Sequence, residues 1–184
     1  SYNDVLEAFR WLGIDEEKAK SMGIALYKAG MPWPLEPQGI REFCRGLDTV
    51  LVVEEKRELI EHQVKWQLYN WKENVRPTVI GKQDENGKWL LPAENDLPMQ
   101  TIIEVIAERI SKFNSDSAVI NQLDWFQKRN KSQENINAPL NRKPFFCSGC
   151  PHNTSLMVPE GKRALGGIGC HYMAVNTVKG LSLI

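Results

Sequence analysis

The aliphatic run Thr-Val-Leu-Val-Val at residues 49–53 constrains the fold of this chain more than any other segment. Such a short β-branched and aliphatic run is typical of a strand that is buried on both faces of a parallel sheet. A helical pattern follows at residues 58–71, and a short strand pattern at residues 77–80. The apolar pattern at residues 24–28 predicts one further strand. This alternation predicts an α/β fold, a three-layer arrangement with helices on both faces of a parallel sheet.

Five further segments carry the apolar spacing or the start signals of helices. They lie at residues 4–11, 16–22, 37–45, 98–113 and 116–128. Asp15 is placed to cap the second of them, and Pro37 suits the first position of the third. The fourth predicts one apolar face formed by Ile102, Ile106, Ile110 and Phe113. Asn86-Gly87 predicts a turn that closes a hairpin onto residues 89–91.

The composition divides the chain into three predicted parts. Residues 1–80 form a compact α/β domain. Residues 81–143 comprise the hairpin, two helices and a polar linker that begins at residue 129, where Asn, Gln, Lys and Pro accumulate. Residues 144–184 are the start of a second domain. Because the chain opens without methionine, it is expected to be an internal fragment.

Composition also excludes several classes of function. The 184 residues carry 23 basic and 23 acidic side chains, so no net positive charge favours nucleic acid or an anionic membrane. No apolar stretch approaches the roughly 20 residues of a membrane span, and no signal peptide is visible. Four cysteines without a secretory signal favour metal or redox chemistry over disulfides, which predicts a cytoplasmic protein.

Three of the four cysteines and two of the three histidines fall between residues 147 and 171. Cys147 and Cys150 have the CxxC spacing that lets two thiolates converge from one tight turn, and the glycine between them supplies the backbone freedom. Cys170 must return from elsewhere in the fold. Spacing alone favours a closed zinc site that adds His152 or His171, but a [4Fe–4S] cluster on three cysteines and a site without metal stay open.

A glycine-rich segment at residues 164–169 precedes this third cysteine. It predicts a strand that ends in glycines, which permits close approach of the backbone to a ligand. The glycines are not a GxGxxG pattern followed by a helix, so no dinucleotide site is predicted. Cys44 lies apart from this region in a predicted helix and is expected to be a core thiol.

Residues 142–155, 158–161, 163–165 and 167–173 together carry a specific pattern that includes Cys-Ser-Gly-Cys-Pro-His and Gly-Ile-Gly-Cys-His. This pattern closely resembles the indolepyruvate ferredoxin oxidoreductases, in their long bacterial form with fused subunits. That family belongs to the thiamine-diphosphate-dependent 2-oxoacid:ferredoxin oxidoreductases. Upstream, residues 26–28, 31–37 and 51–57 are similar to the family's transketolase-C-terminal-like domain. The resemblance covers nearly all of residues 1–174.

The resemblance implies a [4Fe–4S] cluster ligated by Cys147, Cys150 and Cys170. The residues implied to lie against thiamine diphosphate are Ile168, Gly169, Cys170 and His171. His152 is implied to contact a diphosphate oxygen. No catalytic side chain is implied within the chain, and the ligands of Mg²⁺ and the fourth cluster cysteine are expected outside it.

The implied reaction is oxidative decarboxylation of an aryl 2-oxoacid such as indolepyruvate to acyl-CoA, with electrons passing singly from a thiamine-bound enamine through the cluster to ferredoxin. The implied partners are the 2-oxoacid, coenzyme A, ferredoxin, the remaining domains of the parent polypeptide and further copies in a homo-oligomer. The isolated chain is expected to be inactive, and its tail at residues 175–184 departs from the family pattern. The alternative is a non-catalytic, zinc-stabilised binding or scaffold module.

Overall fold

The computed structural model describes residues 1–114, 116–134, 145–175 and 181–183. The chain divides into two compact units, Ser1–Asn135 and Ile136–Ile184. Within the described ranges each unit contains one two-stranded parallel sheet. None of the helices in these ranges has the length and apolar content that spanning a bilayer requires. The predicted division at residues 80 and 143 stays a prediction.

The first unit contains helices and strands, and its central strand, helix and strand follow in the predicted order. Its described elements are α1 (Tyr2–Trp11), α2 (Glu16–Ser21), α3 (Pro37–Phe43), β1 (Thr49–Leu51), α4 (Leu59–Leu68), β2 (Thr78–Ile80), α5 (Met99–Phe113) and α6 (Ser117–Glu134). The Asp15 carboxylate caps α2 by accepting the Lys18 N–H at 2.8 Å. Pro37 takes the first position of α3. The predicted helices and their start signals are confirmed.

β1 and β2 pair in parallel, with Thr49 opposite Thr78 and Leu51 opposite Ile80. The helix α4 lies between them in the chain, because two parallel strands need a crossover connection. The predicted strand–helix–strand unit is therefore confirmed, and it gives the first unit its α/β character.

The side chains of β1 and the residues after it alternate between two apolar clusters. Val50 and Val52 are buried in the cluster that α3 and α4 cover. Leu51 and Val53 are half-buried and pack against the cluster formed by α1, α5 and α6. Helices on both faces are thus confirmed. The prediction that both faces are fully buried was wrong, because Leu51 and Val53 are only half-buried.

Three buried charged residues tie α4 to the carboxyl ends of both strands. The Glu54 carboxylate accepts the first three backbone N–H groups of α4 at 3.1, 2.8 and 2.9 Å. Glu61 accepts the Lys82 N–H at 2.8 Å and pairs with Lys65 Nζ at 2.6 Å. Lys82 Nζ donates to the carbonyl oxygens of Glu54 and Pro92 at 2.5 and 3.0 Å. Burial lowers the pKa of Lys82.

Residues 24–28 do not form the predicted strand. The Ile24 N–H donates to the Ala19 carbonyl at 2.8 Å and so completes the end of α2. Residues 24–29 and β1 line one cavity, but residues 24–29 form no ladder of hydrogen bonds with that strand. The prediction was wrong because aliphatic spacing marks an extended segment without showing whether a neighbouring strand lies within hydrogen-bonding reach.

Two predictions about α5 and α6 also need correction. Phe113 is 62% exposed rather than part of the buried face, because it is the last residue of α5. The helix α6 continues to Glu134, so the first part of the predicted linker is helical. Residues 135–143 of that linker lie outside the described residues.

The predicted hairpin is reduced to one antiparallel bridge between Gln83 and Trp89. Side chains of α5 hold its turn. Lys112 Nζ and Arg109 Nη1 each lie 2.8 Å from a Glu85 carboxylate oxygen. These hydrogen bonds, led by the one from Lys112, lower the pKa of Glu85 to about 2.

The second unit has four described elements: α7 (His152–Ser155), β3 (Ala164–Gly166), α8 (Cys170–Val175) and β4 (Leu181–Leu183). β3 pairs in parallel with β4, with Ala164 opposite Leu181. β4 lies in the tail that was expected to depart from the family pattern, and residues 176–180 and 184 of that tail are outside the described residues.

Substituting Gly81→Ala is expected to lower the free energy of unfolding by about 3 kcal/mol. A methyl group there would overlap the Glu61 carboxylate and come within 3.1 Å of the Val52 carbonyl oxygen. Gly30→Ala is the matched control, because nothing lies within 4 Å of a methyl group at that position. Urea unfolding of both variants measures the difference, and equal stabilities would contradict the described packing of Glu61.

The Glu85 carboxylate should make stability depend on pH. Its pKa falls from 4.5 to about 2 on folding, so its stabilising effect is full above pH 4.5 and is lost as the pH falls towards 2. The variant Glu85→Gln should be less stable at neutral pH and show a flatter pH dependence in that window. Exposed Glu94, changed to Gln, is the control in thermal unfolding across this pH range. A wild-type profile for Glu85→Gln would contradict the prediction.

Candidate functional site

The CxxC segment forms a tight turn in the second unit. The Cys150 N–H donates to the Cys147 carbonyl at 3.0 Å and closes the turn. Gly149 has a φ of +71°, a left-handed conformation that favours glycine. Cys147 is exposed and Cys150 is half-buried. The predicted role of the glycine is therefore confirmed, and the backbone geometry suits two sulfur ligands from one turn.

His152 begins α7 directly after this turn and contacts three of its neighbours. Its Nδ1 lies 3.1 Å from Cys150 Sγ. Its ring stacks on Phe146 with centroids 5.9 Å apart. The ring of His171 approaches edge-on, at a centroid distance of 6.4 Å. His152 thus links the CxxC turn to the segment that contains the third cysteine.

The glycine-rich segment forms a strand, a loop and a helix in succession. β3 ends at Gly166, and α8 begins at Cys170. A helix therefore follows these glycines, but the pattern is not GxGxxG, and no dinucleotide site was predicted from it. Gly169 has a φ of +87°, and the Gly167 N–H donates to His171 Nδ1 at 3.3 Å. Ile168, between these glycines, is fully exposed.

Cysteine thiolates are chemically suitable ligands for a metal cluster, but the described residues do not bring the three cysteines together at one site. Thiolates are the usual ligands of iron–sulfur clusters and are common in zinc sites. Within the described ranges, however, no three His, Cys, Asp or Glu side chains are placed to hold one metal ion. The histidines approach each other, while ligation by Cys147, Cys150 and Cys170 stays a prediction.

The zinc alternative placed His152 with Cys150 on one metal ion, and the resemblance implied that it contacts a diphosphate; a direct contact between the two side chains was not predicted. The available signal was their spacing across Pro151, which starts the turn into α7. Cys44, in contrast, is fully buried between α3 and its neighbours, as predicted for a core thiol. Burial raises the pKa of its thiol.

Comparison with known proteins identifies the relatives of this chain. A sequence profile described as the indolepyruvate ferredoxin oxidoreductase middle domain matches residues 1–138. Three archaeal proteins named indolepyruvate oxidoreductase subunit IorA match over 95% of this chain. No solved structure matches it significantly.

The three relatives have similar sequence identity to this chain. The Pyrococcus horikoshii protein is 34% identical over 182 residues, and the Pyrococcus abyssi protein 34% over 181 residues. The Thermococcus kodakarensis protein is 31% identical over 180 residues. This chain spans 24% of the length of each of these relatives.

Thiol labelling should separate the four cysteines by exposure. In metal-free native protein, iodoacetamide is expected to modify Cys147, Cys150 and Cys170 at least about tenfold faster than Cys44, because a buried thiol of raised pKa reacts slowly. Peptide mass spectrometry measures each rate, and labelling in urea should remove the difference. Rapid native modification of Cys44 would contradict the described core.

Proposed function

This chain belongs to the indolepyruvate ferredoxin oxidoreductase family, and from that premise we propose that its protein oxidatively decarboxylates aryl 2-oxoacids such as indolepyruvate. The products would be an acyl-CoA and reduced ferredoxin. The observation that supports this most is the identity with three IorA proteins over 95% of the chain, at 31–34%. Coenzyme A and ferredoxin are accordingly the proposed partners.

The proposed ligands of a [4Fe–4S] cluster are Cys147, Cys150 and Cys170. The CxxC turn supports this role, because its left-handed glycine allows both sulfurs to approach one cluster. His152 is 3.1 Å from the Cys150 sulfur, and hydrogen bonds to cluster sulfurs are one of the means by which proteins set reduction potential. The proposed role of His152 is therefore to tune the cluster as well as to face the diphosphate.

The loop between β3 and α8 is the proposed contact for thiamine diphosphate. When bound, this cofactor supplies the decarboxylation chemistry, and the cluster supplies one-electron transfer. The chain's own residues would position this cofactor. Gly169 leaves room for the backbone to approach it, while Ile168 presents an exposed apolar side chain. His171 is oriented by the Gly167 N–H. No ligand of Mg²⁺ is proposed within this chain.

Residues 1–80 of the first unit would serve as the family's transketolase-C-terminal-like domain. The parallel βαβ unit and the helices on both faces support this assignment. This part of the chain contributes no proposed ligand to the cluster. A cytoplasmic location of the protein, expected from its cysteine usage, is also part of the proposal.

Cluster assembly on this chain tests the proposed ligands. After anaerobic reconstitution with iron and sulfide, Cys147→Ala, Cys150→Ala and Cys170→Ala should each lose most of the bound iron and the visible absorption of the cluster. Cys44→Ala is the matched control, because this cysteine is fully buried in the core of the first unit. Iron, sulfide and zinc analysis of each variant gives the result.

Three outcomes would contradict the proposal. Loss of iron in Cys44→Ala but not in the other three variants would exclude the assigned ligands. Tight stoichiometric zinc that iron and sulfide do not displace would favour the zinc-stabilised module, for which His152 is the nearest imidazole to the CxxC turn. Retention of iron in all four variants would show nonspecific binding.

A further inference from the structure

The cavity in the first unit lies beside the free edge of β1. Its volume is about 620 Å³, within the range of pockets that hold ligands. Residues 24–29 line it on one side and residues 49–54 on the other. Its lining also includes Ile106 from the cluster on one face of β1 and Val64 from the cluster on the other face. Because β2 occupies one edge of β1, a cavity that reaches both faces and residues 24–29 lies at the other edge, within the layer of the sheet.

The backbone groups on this edge of β1 are unpaired. The Val52 N–H donates to the Ile80 carbonyl at 2.8 Å and therefore faces β2. Successive residues of a strand direct their N–H and C=O groups to opposite edges, so those of Leu51 and Val53 face away from β2. Neither of these two N–H groups has an acceptor among the residues that the structure describes. Both residues line the cavity.

The facing segment, residues 24–29, runs with the side-chain alternation of a strand. Ile24 packs against the cluster formed by α1, α5 and α6, and Lys28 Nζ lies 5.0 Å from the centre of an aromatic ring of α1. Tyr27 and Ala29 pack against the opposite cluster, which α3 and α4 cover. Within the described part of the chain, the N–H groups of this segment after Ile24 donate to no backbone carbonyl. Two extended segments with unpaired edges therefore border the cavity.

The lining determines which occupant the cavity suits. An uncovered strand edge is a template for pairing with another chain, and the addition of a peptide strand to such an edge is a recurring mode of recognition. Apolar clusters lie on both faces, so a strand in this layer needs apolar side chains on both of its sides. The exposed Asp48 lines the cavity at the amino end of β1 and forms no salt bridge with a described residue. Its carboxylate is complementary to a basic residue.

We propose that this cavity binds an extended apolar peptide segment of about five residues from another polypeptide, which pairs with β1 on one side and with residues 24–29 on the other. Five extended residues span about 17 Å, the length of the segment 49–53 that borders the cavity. A basic residue at the end of the peptide segment lies beside Asp48. This binding site goes beyond the proposed reaction and uses no residue of the cysteine segment.

Three synthetic peptides test the proposal on the whole chain. The probe is acetyl-Lys-Val-Leu-Val-Leu-Val-Lys-amide, used at concentrations where it is monomeric. One control peptide carries N-methyl groups on its valines, which blocks all donors along one edge and keeps the apolar side chains. It should bind at least about tenfold more weakly, because main-chain hydrogen bonds provide the affinity of an added strand. The other control has Glu in place of both Lys and should bind at least about threefold more weakly at low salt, because like charges repel beside Asp48.

Amide hydrogen exchange followed by NMR locates the pairing. The probe should slow exchange of the Leu51 and Val53 N–H groups at least about tenfold, because a new acceptor then holds each of them. The Val52 N–H is the internal reference, since it is already bonded to Ile80 on the side of β2.

The variant Asp48→Asn tests the contact with the basic residue. It removes the carboxylate and keeps the backbone carbonyl that accepts the Thr78 N–H at 2.9 Å, so the pairing of β1 with β2 is retained. The preference for the Lys-ended over the Glu-ended peptide should disappear. The control is Asp124→Asn, because Asp124 is exposed on α6 and does not line the cavity, and it should keep the preference. An unchanged preference in Asp48→Asn would contradict the proposed contact.

The wild-type protein alone can overturn the proposal. Slow exchange of the Leu51 and Val53 N–H groups without peptide would mean that residues 24–29 close on β1 themselves. If that protection rises with protein concentration, a second copy of the chain occupies the edge instead. Equal binding of the probe and its N-methylated form would mean an apolar cavity without strand pairing. Unchanged exchange at saturating probe would mean that no peptide strand pairs with β1.

Discussion

The capping of α4 by the Glu54 carboxylate is the interaction on which the first unit most depends. Glu54 lies shortly after the end of β1 at Leu51 and accepts the first three N–H groups of α4, the donors that a helix cannot satisfy itself. Its negative charge also lies at the positive end of the helix dipole. One side chain therefore fixes the start of the crossover helix close to the end of the strand that precedes it.

Much of this architecture could be predicted from local pattern. The β1–α4–β2 unit follows from aliphatic runs that flank a helical stripe, and Asp15 and Pro37 mark helix starts through chemistry that operates within four residues. The strand at residues 24–28 could not be judged in this way, since ladder hydrogen bonds depend on the distance to a segment far along the chain. Arg109 was missed for a related reason, because its partners come from a distant turn.

In the cysteine segment too, local features could be predicted from the sequence and the placement of distant residues could not. The CxxC turn and its left-handed glycine follow from four adjacent residues. Cys170 is twenty positions away, so its place depends on β3 and the loop before α8, which spacing does not describe. Spacing alone also favoured zinc over a cluster, and only the resemblance of the surrounding residues reversed that preference. The hydrogen-bonding distance between Cys150 and His152 was visible only in three dimensions.

The ion network at the ends of β1 and β2 has a consequence for ligand binding at these strand ends. In open α/β sheets, ligands usually bind in the crevice beyond the carboxyl ends of the strands. Here Glu54, Glu61 and Lys82 place buried charges at that position, and each of them is held by hydrogen bonds. A ligand at this common binding position of the fold class would have to compete with the chain's own α4 N–H groups for the Glu54 carboxylate.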